Sequence, residues 1–116
     1  MSHAPPERIR TAARAKITRI KQRIAALDDL CSGTLVKRWK VCGKAGCRCA
    51  HDEQARHGPY YEWGSMQGGR QVHRMVTPQQ ARVLRVAIRN HRQVRRLLRA
   101  WETQTVRILK AEDRRK

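Results

Sequence analysis

The chain has no phenylalanine, few acidic residues and no long apolar segment. Its only aromatic residues besides histidine are three Trp and two Tyr. The helices therefore lack the bulky apolar face that inserts into a membrane surface, and no run reaches the roughly 20 apolar residues of a membrane span. No apolar leader follows Met1, so we expect a cytoplasmic protein without membrane contact. The length predicts a single domain, residues 1–116.

The scarcity of acidic residues leaves the chain strongly basic. Lys and Arg number 27 against 9 Asp and Glu, which gives a net charge of +18. Because such an excess repels itself in a compact chain, we expect a polyanionic partner. Nucleic acid is the polyanion that arginine matches best, since guanidinium groups bind phosphate bidentately. An anionic membrane surface and an acidic protein surface are the competing partners.

The usual catalytic patterns are also missing. The sequence contains no Ser/His/Asp pattern and no paired carboxylates suited to acid–base work. Asp52 and Glu53 beside His51 are interpreted as a solvated end of a loop. We therefore predict that the protein is not an enzyme.

Three of the four cysteines lie within eight residues, in a loop that also carries histidine. Cys42, Cys47, Cys49 and His57 form the pattern C-x4-C-x-C-x7-H. In a reducing compartment clustered cysteines favour a metal over a disulfide. Thiolate and imidazole are the usual tetrahedral ligands of Zn²⁺, so we predict a structural zinc site formed by these four residues.

Other interpretations of the cysteine loop stay open. His51 or Cys31 can replace His57 as the fourth ligand, and the thiols can also be reduced cysteines without a metal. The short spacing of Cys47 and Cys49 counts against a zinc site, because alternate residues of an extended chain point apart.

Apolar spacing predicts an α+β fold. A heptad pattern from residue 7 to 31 predicts an N-terminal helix, with Gly33 as its C-terminal cap. Residues 33–77 predict a three-stranded antiparallel β module that contains the zinc loop. Its predicted strands, the last two joined by a hairpin at Gly68-Gly69, are Thr34–Val41, Tyr60–Met66 and Arg70–Val76.

Residues 78–113 predict one long basic helix. Thr77 and Gln80 form a capping box, and Pro78 suits the first helical position. The predicted apolar seam runs along the helix in steps of three and four residues: Leu84, Ala87, His91, Val94, Leu98, Trp101, Thr105 and Ile108. We expect the two helices to form either an antiparallel hairpin or a coiled-coil dimer.

An arginine stripe follows the long helix on the side opposite the seam. From Pro78 to Ala100 the sequence contains no Asp or Glu. Aligned like charges repel one another unless a partner neutralises them, so we predict that the stripe binds nucleic acid. The stripe consists of Arg82, Arg85, Arg89, Arg92, Arg96 and Arg99. The further candidates in the β module are Lys37, Arg38, Lys40 and Arg70.

The aromatic residues of the β module are grouped on its strands. We expect two or three of Trp39, Tyr60, Tyr61 and Trp63 to form a small core. Alternation along the strand allows Tyr61 and Trp63 to be buried while Tyr60 faces solvent. Among these rings Tyr60 is the one expected to be exposed and able to stack on a base.

Three motifs resemble those of a family of short basic bacterial proteins of unknown function. The members show G-[ST]-L-V, C-G-K-x-x-C-x-C and H-G-P-Y-Y, followed by a Gly-Gly hairpin and a C-terminal helix. Here the motifs lie at residues 33–36, 42–49 and 57–61. Cys31 lies outside the family pattern, which favours His57 as the fourth ligand. The resemblance transfers no functional residue.

The resemblance also implies a setting for the protein. Such proteins are often encoded beside transposase or recombinase genes, which implies an accessory role in a mobile element. We therefore predict a nucleoid-associated protein that binds DNA through its phosphates and assists transposition or recombination. An RNA-binding protein of a ribonucleoprotein complex and an adaptor for a recombinase are the alternatives.

Overall fold

The computed structural model describes residues 5–113, which form an α+β fold. Its helices and strands are α1 (Pro6–Ala25), β1 (Thr34–Lys40), β2 (His57–Gln67), β3 (Arg70–Val76) and α2 (Pro78–Asp113). None of the helices in this range is long and apolar enough to cross a membrane.

The residues group into two compact units. The sheet unit, Asp29–Arg89, contains the three strands and the first turns of α2. The helical unit combines α1, up to Asp28, with α2 from Asn90 onward. The expectation of a single domain stays a prediction.

The three strands form one antiparallel sheet in the order β1-β2-β3, as predicted. Gly68 and Gly69 form the two-residue turn between β2 and β3, with φ angles of 56° and 79°. Positive φ at both central positions is what a type I′ hairpin requires, and glycine adopts it without a steric penalty. The Gly-Gly prediction is therefore confirmed.

Tyr61 and Trp63 form the inner face of the sheet in the sheet unit. Both are half-buried, and the guanidinium of Arg85 lies 5.6 Å from the centre of the Tyr61 ring. The Trp63 indole Nε1 donates a hydrogen bond to the Ser32 carbonyl at 3.0 Å. Tyr60, on the opposite face, is 41% exposed, as predicted.

Trp39 does not join this small core. It is 51% exposed, and it lies where the pairing of β1 with β2 shifts register, between Arg38 and Lys40. Such an irregularity interrupts the regular alternation of side chains along a strand. Two of the four aromatic residues of the β module are thus inner residues and two are exposed.

The prediction that the first helix continues to residue 31 is wrong. α1 ends at Ala25, and the following segment is not helical. Its backbone bonds elsewhere, since Cys31 N–H donates to the Ala87 carbonyl at 3.2 Å and the Ser32 carbonyl accepts from the Trp63 indole. These two hydrogen bonds require a non-helical backbone at Cys31 and Ser32.

Gly33 therefore has a different role from the predicted helix cap. Its φ is +116°, and a Cβ there would lie 2.3 Å from the Gly64 oxygen and 2.6 Å from Trp63 Nε1. Glycine is needed because the backbone that enters β1 passes directly against β2. This close contact between Gly33 and β2 marks the point where the sheet begins.

The capping box at the start of α2 is confirmed. The Thr77 hydroxyl accepts from Gln80 N–H at 3.0 Å, and Gln80 Oε1 accepts from Thr77 N–H at 2.9 Å. These two bonds satisfy backbone donors that the first turn of a helix leaves without partners. They explain why α2 begins at Pro78.

In the helical unit α1 and α2 are antiparallel. Arg10 pairs with Glu112, and Lys21 Nζ lies 5.4 Å from the centre of the Trp101 ring. Higher numbers on α1 thus face lower numbers on α2, which is the hairpin alternative. The buried residues of this unit are Ala13, Ile17, Ile20, Leu97 and Ala111. The coiled-coil dimer stays a prediction.

The buried side of α2 in the helical unit differs from the predicted seam. Leu97 is 5% exposed, whereas the predicted Leu98 is 46% exposed and Thr105 is also exposed. Leu97 and Leu98 fit a period of three and four residues equally well. Packing against α1 selects which of the two adjacent rows is buried.

Candidate metal centre and nucleic-acid interface

The sheet pairing brings the two ends of the cysteine loop together. His57 is the first residue of β2 and pairs with Lys40, the last residue of β1. Cys42 follows Lys40 by two residues, so it lies beside His57 at the end of the sheet. Cys47 and Cys49 are on the loop that connects the two strands.

The four predicted ligands form one compact group. The metal-binding atoms of Cys42, Cys47, Cys49 and His57 all lie within 4.8 Å of one another. The Cys42 and Cys49 sulfurs are 3.5 Å apart, and Cys47 Sγ is 3.2 Å from His57 Nε2. Tetrahedral zinc with bonds of about 2.0–2.3 Å places its ligand atoms roughly 3.5–3.8 Å apart. The group can therefore hold a metal ion.

Local backbone geometry overcomes the unfavourable C-x-C spacing. Cys49 lies inside a 3₁₀ turn, Arg48–Ala50, and Cys47 is the residue that precedes it. The Cys47 carbonyl accepts from Ala50 N–H at 3.3 Å, which closes the turn. A turn carries both thiols inward, whereas an extended chain would separate them.

Two thiols of the loop, those of Cys47 and Cys49, have shifted pKa values. The Cys49 N–H and the thiols of Cys49 and Cys42 donate to Cys47 and lower the pKa of the Cys47 thiol. The Cys42 N–H likewise favours the Cys49 thiolate through a 3.3 Å bond. Burial and the neighbouring Cys47 and Cys42 thiols outweigh that bond, so the pKa of Cys49 is raised. A bound cation would reverse this effect, because it holds coordinating thiols as thiolates.

Neither alternative ligand joins the group. Cys31 lies before β1, where its N–H bonds to the helix carbonyl of Ala87. His51 is exposed and ends the first 3₁₀ turn. Within residues 5–113, the group of close ligand atoms contains His57 and excludes both.

The stripe arginines are solvent-exposed side chains of α2. Arg82, Arg85 and Arg89 belong to the sheet unit, and the other three belong to the helical unit. Within the described part of the chain, no stripe arginine pairs with a carboxylate. Arg85 alone has a ring contact, with Tyr61. The three of the helical unit are Arg92, Arg96 and Arg99.

The cations of the β module do not form one surface. Lys37 pairs in register with Tyr61 of the inner face. Arg38 pairs with Tyr60 of the opposite face, which we call the open face. Arg70 lies beside the hairpin turn, at the other end of β2 from the metal centre. The four predicted candidates are thus distributed over the sheet.

A carboxylate on the open face was missed by sequence reasoning. Glu62 contacts two basic side chains: Arg38 Nε lies 3.5 Å from Glu62 Oε2 and His73 Nδ1 lies 2.9 Å from Glu62 Oε1. The Glu62 side chain is 16% exposed. Its position between Arg38 and His73 depends on the register of all three strands, so no local sequence signal reveals it.

Comparison with protein families relates most of the chain to a described domain. A family model described as a domain of unknown function, DUF6788, matches residues 7–85, which is more than half of the chain. No curated protein and no solved structure matches the chain.

Proposed function

The chain belongs to the DUF6788 family of unknown function, and we propose that it is a non-enzymatic protein that binds DNA through the phosphate backbone. The observation that carries the proposal is the arginine stripe of α2. Its six guanidinium groups are exposed, without carboxylate partners in the described range, and no acidic residue interrupts that part of the helix. Phosphates supply the missing negative charge.

The metal of the Cys₃His group is Zn²⁺ in this proposal. Three thiolates and one imidazole form a soft ligand set that suits zinc and not magnesium or calcium. All four coordination positions are occupied by protein, which leaves none for a substrate. The ion acts structurally by joining the ends of β1 and β2 to their connecting loop.

We further propose that the protein assists a transposase or recombinase. This step rests on the resemblance to proteins encoded beside such genes. Co-purification of the enzyme with this chain, after nuclease treatment and a high-salt wash, would support it. If nuclease treatment separates the enzyme from this protein, DNA alone joins the two.

Salt dependence tests the backbone-binding proposal directly. Each phosphate neutralised on duplex DNA contributes a slope of about −0.9 to a plot of log affinity against log salt. Six arginine contacts therefore predict a slope of about −5. Fluorescence anisotropy with a labelled 20-base-pair duplex, between 50 and 200 mM salt, measures it. Structured RNA at matched salt is the comparison, and a clear preference for RNA would contradict the DNA assignment.

A matched pair of triple variants locates the binding surface. Replacing the stripe arginines Arg92, Arg96 and Arg99 by Gln reduces the expected slope to about −3. The control removes the same charge from α1, whose exposed arginines are not aligned, through Arg14→Gln, Arg19→Gln and Arg23→Gln. Equal losses in both variants would show that net charge, and not the stripe, determines binding.

A further inference from the structure

We propose that the end of the sheet beside the metal centre binds unpaired bases of a DNA strand, with Trp39 and Tyr60 as stacking rings. The inference rests on the proposed DNA binding and adds a substrate class to it. The site differs from the arginine stripe and lies within the sheet unit.

Two large aromatic side chains are exposed at this end of the sheet. Trp39 is 51% exposed and Tyr60 is 41% exposed, while Tyr61 and Trp63 form the inner face. Aromatic side chains are usually buried or at interfaces because of their large apolar area. Exposed rings on a basic sheet are what single-stranded DNA requires, since every base offers a face for stacking.

Each of the two rings has a lysine next to it. Lys37 Nζ lies 5.2 Å from the centre of the Trp39 ring, and Lys40 Nζ lies 5.6 Å from the centre of the Tyr60 ring. The combination of a ring and an ammonium group matches one nucleotide, because the ring stacks on the base and the cation binds its phosphate. Lys37, Trp39 and Lys40 lie within four residues of β1, and Tyr60 lies on the neighbouring strand β2.

Trp39 and Tyr60 lie at the same end of the sheet. A Cβ placed on Gly58 would lie 3.1 Å from Trp39 Cδ1, and Tyr60 follows Gly58 by two residues along β2. The same Cβ would lie 2.8 Å from the Arg38 carbonyl oxygen. Gly58 thus leaves the space in which the Trp39 indole lies.

The metal centre stabilises this end of the sheet. His57 immediately precedes Gly58, and Cys42 follows Lys40 by two residues. A metal ion bound to both ligands would therefore join the two strand ends that carry the rings. This arrangement gives the cysteine loop a role in presenting the aromatic residues, beyond closing the sheet.

An unpaired strand, and not a duplex, is the expected ligand. In a duplex each base is stacked between its neighbours, so its face is hidden from a protein ring. The flanking lysines favour a strand with phosphates over an uncharged partner. The site predicts that DNA with unpaired bases gains affinity over a duplex of equal phosphate number.

The test compares four labelled oligonucleotides at matched salt by fluorescence anisotropy: dT20, the ribonucleotide strand U20, an abasic 20-mer with the same phosphates, and a 10-base-pair duplex of nearly equal phosphate number. The full-length protein with its metal is used, alongside Trp39→Leu, Tyr60→Leu and the ring-retaining Tyr60→Phe. Leu109→Ala is the control for removing an exposed apolar side chain, since Leu109 is 59% exposed in the helical unit.

Loss of a stacked ring should weaken dT20 binding by about 5- to 150-fold for each base. Tyr60→Phe and Leu109→Ala should bind dT20 as the wild type does. None of the variants should change abasic or duplex binding by more than about twofold. Circular dichroism and metal content establish that each variant is folded.

Three results would overturn the inference. Equal wild-type affinity for dT20 and the abasic strand would mean that bases are not recognised. Unchanged dT20 binding in both leucine variants would mean that these rings do not stack. A wild type that prefers U20 over dT20 would overturn the assignment to DNA. The proposal that the arginine stripe binds DNA is tested separately, by the salt dependence of duplex binding.

Discussion

Replacing Gly33 by alanine tests the close approach that begins the sheet. The new Cβ would lie 2.3 Å from the Gly64 oxygen and 2.6 Å from Trp63 Nε1. Gly64 is paired with Thr34, so its carbonyl cannot move without separating β1 from β2. The indole must also shift, and the Trp63–Ser32 hydrogen bond is then lost.

The expected loss of stability follows from these contacts. A side chain at positive φ costs about 1–3 kcal/mol, and one lost hydrogen bond costs about 0.5–1.5 kcal/mol. Gly33→Ala should therefore reduce the free energy of unfolding by roughly 2–4 kcal/mol. For a small domain this corresponds to a melting temperature about 10–20 °C lower.

Thermal unfolding followed by circular dichroism measures the effect, with the metal present throughout. Gly46→Ala is the control, because no atom lies within 4 Å of its Cβ position. Gly33→Asn separates the two roles of the residue. A helix cap tolerates Asn, whereas the close approach excludes any Cβ. A Gly33→Ala or Gly33→Asn protein that melts within about 2 °C of the wild type would refute the reasoning.

Three further predictions concern the metal and the cap of α2. Native mass spectrometry should find bound zinc in Cys31→Ser and His51→Ala but not in Cys47→Ser; zinc retained by Cys47→Ser would contradict the ligand set. Acidification should release the metal, because protonated thiols and imidazole do not coordinate it; mass spectra across a pH series measure the loss, and full occupancy in strong acid would contradict it. Thr77→Ala should lower the free energy of urea unfolding by about 1 kcal/mol, since the Gln80 N–H loses its acceptor; an unchanged midpoint would contradict this role.

Local signals in the sequence predicted most of the elements. The Gly68-Gly69 turn, the Thr77–Gln80 box and the start of α2 depend on neighbouring residues alone, and all three are confirmed. The candidate metal ligands were predictable for a similar reason. Three of them lie within eight residues, so the loop needs little long-range information to bring them together.

Where a feature depends on distant residues, local pattern was insufficient. The heptad pattern continued past Ala25, but bonds from Cys31 to Ala87 and from Trp63 to Ser32 require a non-helical chain there. The irregular pairing of β1 with β2 around Trp39 depends on both strands, so neither strand reveals it by itself.

The sequence by itself determined the charge, the order of helices and strands, and the residue types that can bind a metal. These properties follow from composition and from contacts between near neighbours. Tertiary structure decided that His57 is the fourth member of the metal group, that Leu97 is buried in place of Leu98, and that Gly33 is needed against β2. The physical reason is common to all three. Each depends on which distant backbone or helix lies opposite, and a periodic pattern carries no information about its partner.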